Sequence, residues 1–214
     1  MGRFLQLLGL VIGVAALVLQ FAITMPASIA AGRGFFGSIV FYFSFFTILT
    51  NIAAVLVHVS LLSPAGYAWL PGFAGPRMRA GVAVAITVVF LVYVTVLAPL
   101  WRPQGLALLC DVLLHYVTPA LFVLWWLAAG ADGSLRWGDI PAWLACPILY
   151  VIYALARAPF AGEVPYPFLD IGRNGALSVA LSSAAVAALF VVLGALAVFV
   201  DRNLPRHRHA ARRR

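Results

Sequence analysis

Leu106-Ala-Leu-Leu-Cys-Asp111-Val-Leu-Leu-His115-Tyr-Val-Thr-Pro119-Ala-Leu-Phe-Val-Leu-Trp-Trp-Leu-Ala128 is an apolar run carrying one acid and one imidazole. A helix needs about 20 apolar residues to cross a bilayer, and this run has the length. Asp111 and His115 stand four residues apart, which puts them on one helix face where lipid replaces water. Ionisable groups at that depth are costly, so each needs a structural partner or a functional reason.

The rest of the chain repeats the pattern. Of 214 residues, 64% are hydrophobic and 9% charged. Soluble domains carry about 25% charged residues, so the composition is that of an integral membrane protein. Apolar windows at Phe4–Met25, Ser38–Leu62, Arg79–Leu100, Leu106–Ala128, Pro141–Arg157 and Gly175–Val200 predict an all-α polytopic membrane protein, a single bundle of six transmembrane helices. The first window could pass for a signal peptide ending at Ser28-Ile-Ala30. Its apolar run exceeds the roughly 7–15 residues of a signal core, so it reads as a retained helix. The connections are short and rich in Gly and Pro, leaving no room for a second domain.

Charge sets the orientation. The net charge is +8 and every basic residue apart from His is Arg. With both termini on one side, that side holds Arg3, Arg77, Arg79, Arg136 and all Arg from Arg202 onward; Arg33, Arg102, Arg157 and Arg173 fall opposite. The tail 201–214 decides the balance and predicts cytoplasmic termini. Its Arg-rich run suits anionic lipid headgroups better than nucleic acid. Arg-rich, Lys-free composition is associated with a bacterial source and hence an inner membrane. Cys110 and Cys146 are too few for a disulfide framework or a zinc site, and no metal or cofactor is implied. Oligomeric state is not legible.

The second window carries a polar stripe: Ser44, Thr47, Asn51 and His58 follow spacings of three, four and seven, one face of a continuous helix, with Thr50 bordering it. Ser and Thr in such places often bond their own backbone, which is the plainer reading of Ser44 and Thr50. Asn51 needs partners on another helix. Thr47 and His115 each lie nine residues into their windows from the same side, roughly 13 Å deep at 1.5 Å per residue. A hydroxyl and an imidazole in one plane supply a nucleophile and a general base. Asp111 either orients the ring, as a third triad member does, or pairs with Arg102, Arg157 or Arg173. Haem ligation by His58 and His115 fails on depth, because the rings would be offset by roughly 10 Å; His58 reads instead as interfacial or as partner to a nearby polar group. Pro165-Tyr166-Pro167 favours a stiff extended segment on the Thr47 side, either an ordinary aromatic belt or a roof over the site. Ser44, Tyr116, Tyr166 and Phe168 are candidates to line a substrate path.

Phe45-Phe-Thr-Ile-Leu-Thr-Asn51, His115-Tyr-Val-Thr-Pro119 and Tyr166-Pro-Phe-Leu-Asp170, set in six windows, resemble the androgen-induced protein family and its bacterial six-span relatives. The resemblance implies a membrane threonine hydrolase acting on fatty acid esters of hydroxy fatty acids. By motif position it assigns the nucleophile to Thr47 and the base to His115. Asn51, Asp111 and Thr50, read from the residues themselves, are the supporting candidates. Two other classes stay open on the residues alone. One is a small transporter or channel, with helices broken at Pro99, Pro119 or Pro147. The other is a structural membrane protein whose polar groups only join helices.

Overall fold

Backbone amides find no water in hydrocarbon, so a chain crossing it must pair them within helices. The computed structural model describes residues 1–62, 70 and 72–204, and among these there is no strand. The Arg-rich run from residue 205 and most of the loop before Arg77 lie outside the described residues. The helices are α1 (Gly2–Ser28), α2 (Gly34–Phe43), α3 (Phe46–Leu62), α4 (Pro76–Val92), α5 (Gly105–Val112), α6 (Thr118–Trp125), α7 (Ile140–Ala161), α8 (Ile171–Asn174) and α9 (Ala176–Asn203). A π turn at Leu113–Val117 joins α5 to α6, and a π turn at Tyr93–Leu97 prolongs α4. The chain is an all-α polytopic bundle, with crossings made by α1, by α2 with α3, by α4, by α5 with α6, by α7 and by α9.

Three boundaries move from the sequence reading. At the fifth window the helix runs beyond Pro141–Arg157 at both ends, Trp137–Ala161, because Pro141 falls in the first helical turn and Pro147 is accommodated inside α7. The last helix continues to Asn203, so the segment read as tail begins inside it. The second crossing is discontinuous. α2 stops at Phe43 and α3 restarts at Phe46.

That break is the local event on which the site depends. In an unbroken helix, Thr47 N–H would return to Phe43 C=O and Ile48 N–H to Ser44 C=O. Instead Thr47 N–H donates to the Tyr166 hydroxyl at 3.2 Å, and the Tyr150 hydroxyl donates to Ser44 C=O at 2.9 Å. Short bonds tighten both sides, Ser44 N–H to Phe41 C=O and Ile48 N–H to Phe45 C=O. Two tyrosines from elsewhere therefore replace two missing backbone partners, which makes the irregularity tolerable at membrane depth.

α4 is the interior helix. Ala80, Val82–Ile86, Val88 and Val89 are all buried, and an all-apolar helix belongs at the centre of a bundle. α1 approaches α3 closely through Gly9 and Gly13, where an added Cβ would come within 2.8 Å of the His58 ring and 2.9 Å of Val55. Outward faces carry large apolar groups such as Phe36 and Leu177, as lipid contact demands. At one end Arg33 and Arg157 both pair with Glu163. At the other, Arg77 pairs with Asp139 and Arg79 with Asp132, while Asp201 accepts the N–H groups of Asp132, Gly133 and Leu135.

His58 departs from expectation. It is 1% exposed, its ring wedged against Phe122 and Trp125 with Nδ1 unpartnered among the described residues, and the nearby polar group, the Gln6 amide, donates to its backbone carbonyl at 3.4 Å and not to the ring.

Candidate active site

Thr47 occupies the first turn of α3, where N–H groups have no intrahelical acceptor. Its Oγ1 lies 3.4 Å from His115 Nε2 and 3.3 Å from the Tyr166 hydroxyl. The sequence reading placed Thr47 and His115 at one depth, and the fold brings them into contact. His115 sits inside the π turn. Pro119 has no N–H to return to the His115 carbonyl, and the chain shifts to a wider register there.

The ring is held on three sides. Nδ1 is 3.0 Å from the Asp111 carbonyl oxygen and 3.3 Å from Asp111 Oδ1. Both are acceptors, so Nδ1 carries the proton and Nε2 is left to accept from Thr47. Tyr93 stacks on the ring at 3.7 Å between centroids, with planes 14° apart, and its hydroxyl donates to Asp111 Oδ1 at 2.5 Å. Asp111 therefore serves the imidazole and Tyr93; it pairs with no Arg among the described residues, and Arg157 is engaged by Glu163 instead.

The other polar groups of α3 divide by role. Thr50 Oγ1 donates back to Phe46 C=O at 2.9 Å and Thr47 C=O at 3.1 Å, so its hydroxyl is spent inside its own helix. Asn51, 1% exposed, donates to Thr47 C=O at 2.8 Å and across to Leu114 C=O at 3.2 Å. Its Oδ1 accepts from the Thr118 hydroxyl. One amide thus ties the Thr47 turn to the His115 turn, directly beneath both. Ser44 leaves the stripe because the break rotates it away: its hydroxyl meets Tyr153 at 3.2 Å, on α7.

A cavity of about 460 Å³ opens above the Thr47–His115 contact. Gln20, Thr24, Tyr93, Asp111 and Tyr166 supply polar groups, and Phe41, Phe45, Leu100 and Trp101 much of its apolar wall. This is the size and mixture of a small-molecule site. Of the lining candidates read from sequence, Tyr166 lines it. Ser44 and Tyr116 do not: Ser44 is fully buried and Tyr116 packs edge-on between Phe90 and Tyr93. Phe168 lines a smaller apolar cavity of about 50 Å³ behind Tyr166, together with Phe46, Val88 and Phe190. The extended backbone expected at Tyr166 is present (φ −132°, ψ 136°), and it aims the phenol inward rather than into a headgroup belt.

Sequence reasoning missed Tyr93 and Tyr150. Each is a hydroxyl inside an apolar window, which needs a partner in lipid as Asn51 does, and that signal was available. No protein-family model, no characterised protein and no solved structure matches this chain.

Proposed function

We propose that the protein is an intramembrane hydrolase of lipid esters, of the fatty acid ester of hydroxy fatty acid type. Thr47 is the nucleophile and His115 the general base. The observation that supports this is the contact of Thr47 Oγ1 with an imidazole whose Nδ1 is committed to Asp111, at the floor of a cavity wide enough for an acyl chain. As Oγ1 attacks the ester carbonyl, Nε2 takes the hydroxyl proton and returns it to the leaving alcohol. Water then attacks the acyl-threonine, Nε2 accepts its proton, and the acid leaves with the Thr47 hydroxyl restored. Asp111 acts through His115 by fixing its tautomer and steadying the imidazolium. The resemblance to the androgen-induced protein family supports the same two residues.

The bundle sits in a bacterial inner membrane with both termini cytoplasmic, and the Arg-rich tail rests on anionic headgroups. The cavity then faces the opposite leaflet. Purified protein is expected to hydrolyse a long-chain ester, with turnover lost in Thr47→Ala and His115→Ala while both variants keep their elution and melting profiles. A lipid-like fluorophosphonate is expected to label Thr47. Full turnover in Thr47→Ala removes the nucleophile assignment.

The discontinuous second crossing is the one feature that favours a transporter, since such breaks line solute paths. Below the cavity, however, Asn51 and Thr118 are bonded to each other and Phe122 and Trp125 pack on His58, so no polar route continues among the described residues. Solute flux into proteoliposomes that persists in an esterase-dead variant would restore that reading.

A further inference from the structure

An ester hydrolase needs a donor for the charge that grows on the carbonyl oxygen, and a threonine in lipid has no solvent to provide it. We propose that the Tyr166 hydroxyl is this donor, a third catalytic group at the site; the inference rests on the Thr47–His115 reading above.

Four observations carry it. The phenol oxygen lies 3.3 Å from Thr47 Oγ1, so it touches the atom that attacks, as His115 Nε2 does at 3.4 Å. It accepts the Thr47 N–H at 3.2 Å, a group at the start of α3 with no helical partner. Accepting from the positive end of a helix polarises an O–H and strengthens it as a donor. With the Thr47 hydroxyl proton directed at His115 Nε2, the phenol is the donor in its own contact with Thr47 Oγ1, so its proton points at the reacting atom. The ring is also fixed: it stacks on Phe168 at 5.4 Å with planes 3° apart and meets Phe45 edge-on at 6.0 Å. Prolines on both sides hold the backbone extended. A donor fixed before the substrate arrives costs no reorganisation when charge develops.

In the attacking step the Oγ1–carbon bond forms, the hydroxyl proton passes to His115 Nε2, and the carbonyl π pair moves onto oxygen. Tyr166 donates a hydrogen bond to that oxygen and keeps its proton. When the tetrahedral species collapses, the charge leaves the oxygen and the phenol returns to Thr47. Oxygen is held on one side of the nucleophile and the base works on the other.

Tyr166→Phe is expected to lower kcat on the order of 10²- to 10³-fold, with KM nearly unchanged, as when one oxyanion donor is removed. A long-chain trifluoromethyl ketone, which forms a tetrahedral oxyanion on Thr47, is expected to lose affinity by about the same factor. A non-hydrolysable ether of equal length is expected to bind as before. If both inhibitors weaken equally, Tyr166 only shapes the cavity and the proposal is overturned. Should Tyr166→Phe fail to fold, 3-fluorotyrosine at 166 keeps the ring and sharpens the donor; an unchanged kcat then overturns the proposal, while a changed kcat with unchanged ether binding supports it. Wild-type kcat in Tyr166→Phe with Thr47→Ala inactive sinks only the donor. Full activity in Thr47→Ala removes the nucleophile assignment on which this inference rests.

Discussion

Tyr93 lies flat against His115, 3.7 Å between ring centroids, and its hydroxyl reaches past the imidazole to Asp111 Oδ1 at 2.5 Å. One side chain thus restrains both the imidazole and the carboxylate bonded to it. In a triad the orienting carboxylate is worth about 10⁴ in kcat when changed to the amide, because the tautomer goes wrong. Here the Asp111 backbone carbonyl also accepts from Nδ1, and no side-chain substitution removes it. Asp111→Asn is therefore expected to lose less than that factor, roughly 10²-fold within the range of acid–base contributions. Tyr93→Phe keeps the stack and is expected to lose less still. Steady-state kcat of both variants checks the order; a Tyr93→Phe deficit above that of Asp111→Asn would contradict it.

Thr50 is the near neighbour most easily confused with Thr47, the proposed nucleophile. Its hydroxyl is bonded within α3 and faces neither His115 nor the cavity. Thr50→Ala is expected to hydrolyse a long-chain ester within about twofold of wild type and to label normally at Thr47. Loss of labelling in Thr50→Ala with retention in Thr47→Ala would reverse the assignment.

Asn51 and Thr118 form the buried bond that fastens α3 to α6. Interhelical bonds of this kind in membranes average about 0.6 kcal/mol and reach about 1.7. Asn51 makes two such contacts, to Thr118 and to Leu114 C=O, at 1% exposure, so the coupling between Asn51→Ala and Thr118→Val belongs near the upper end. A double-mutant cycle by denaturant titration in mixed micelles measures it. Additive effects would mean the two groups are held by packing alone.

Glu163 joins the loop that carries Tyr166 to the α1–α2 turn through Arg33, and to α7 through Arg157. The bonded Arg33 guanidinium holds its carboxyl below the ordinary value of 4.5. A carboxylate depressed in the folded state contributes fully above its unfolded value and loses that contribution as pH falls through the folded one. Protection of residues 162–170 against hydrogen exchange is expected to be flat from neutral pH to about 5 and to decline below 4.5. In Glu163→Gln the decline is expected to vanish, with protection low at every pH.

Much of this site could be read from residue spacing, because depth in a membrane is nearly linear in residue number. Thr47 and His115 share a distance from one surface, and helices of fixed rise convert that into a shared plane. Asp111 could not be assigned, since its choice between His115 and an Arg depends on which helix faces which. The break at Ser44–Phe45 left no local mark either. Phe, Ser and Thr carry no Gly or Pro signal for a break, and the groups that take up its backbone, Tyr150 and Tyr166, lie more than a hundred residues later. Ser44 was misplaced for the same reason, as a stripe drawn on one helix does not survive when that helix is two.

The borrowed hydroxyls make the site dependent on the order of synthesis. A nascent chain that ends before Ile140 has neither Tyr150 nor Tyr166, and its backbone groups at 43–48 must then satisfy each other. Closing that gap as ordinary helix turns the amide of Thr47 inward and removes the anchor at its side. The surroundings of Thr47 are therefore complete only after the last third of the protein has been made: a chain ending before Ile140 holds the first four crossings, with Thr47 and His115 but neither borrowed hydroxyl.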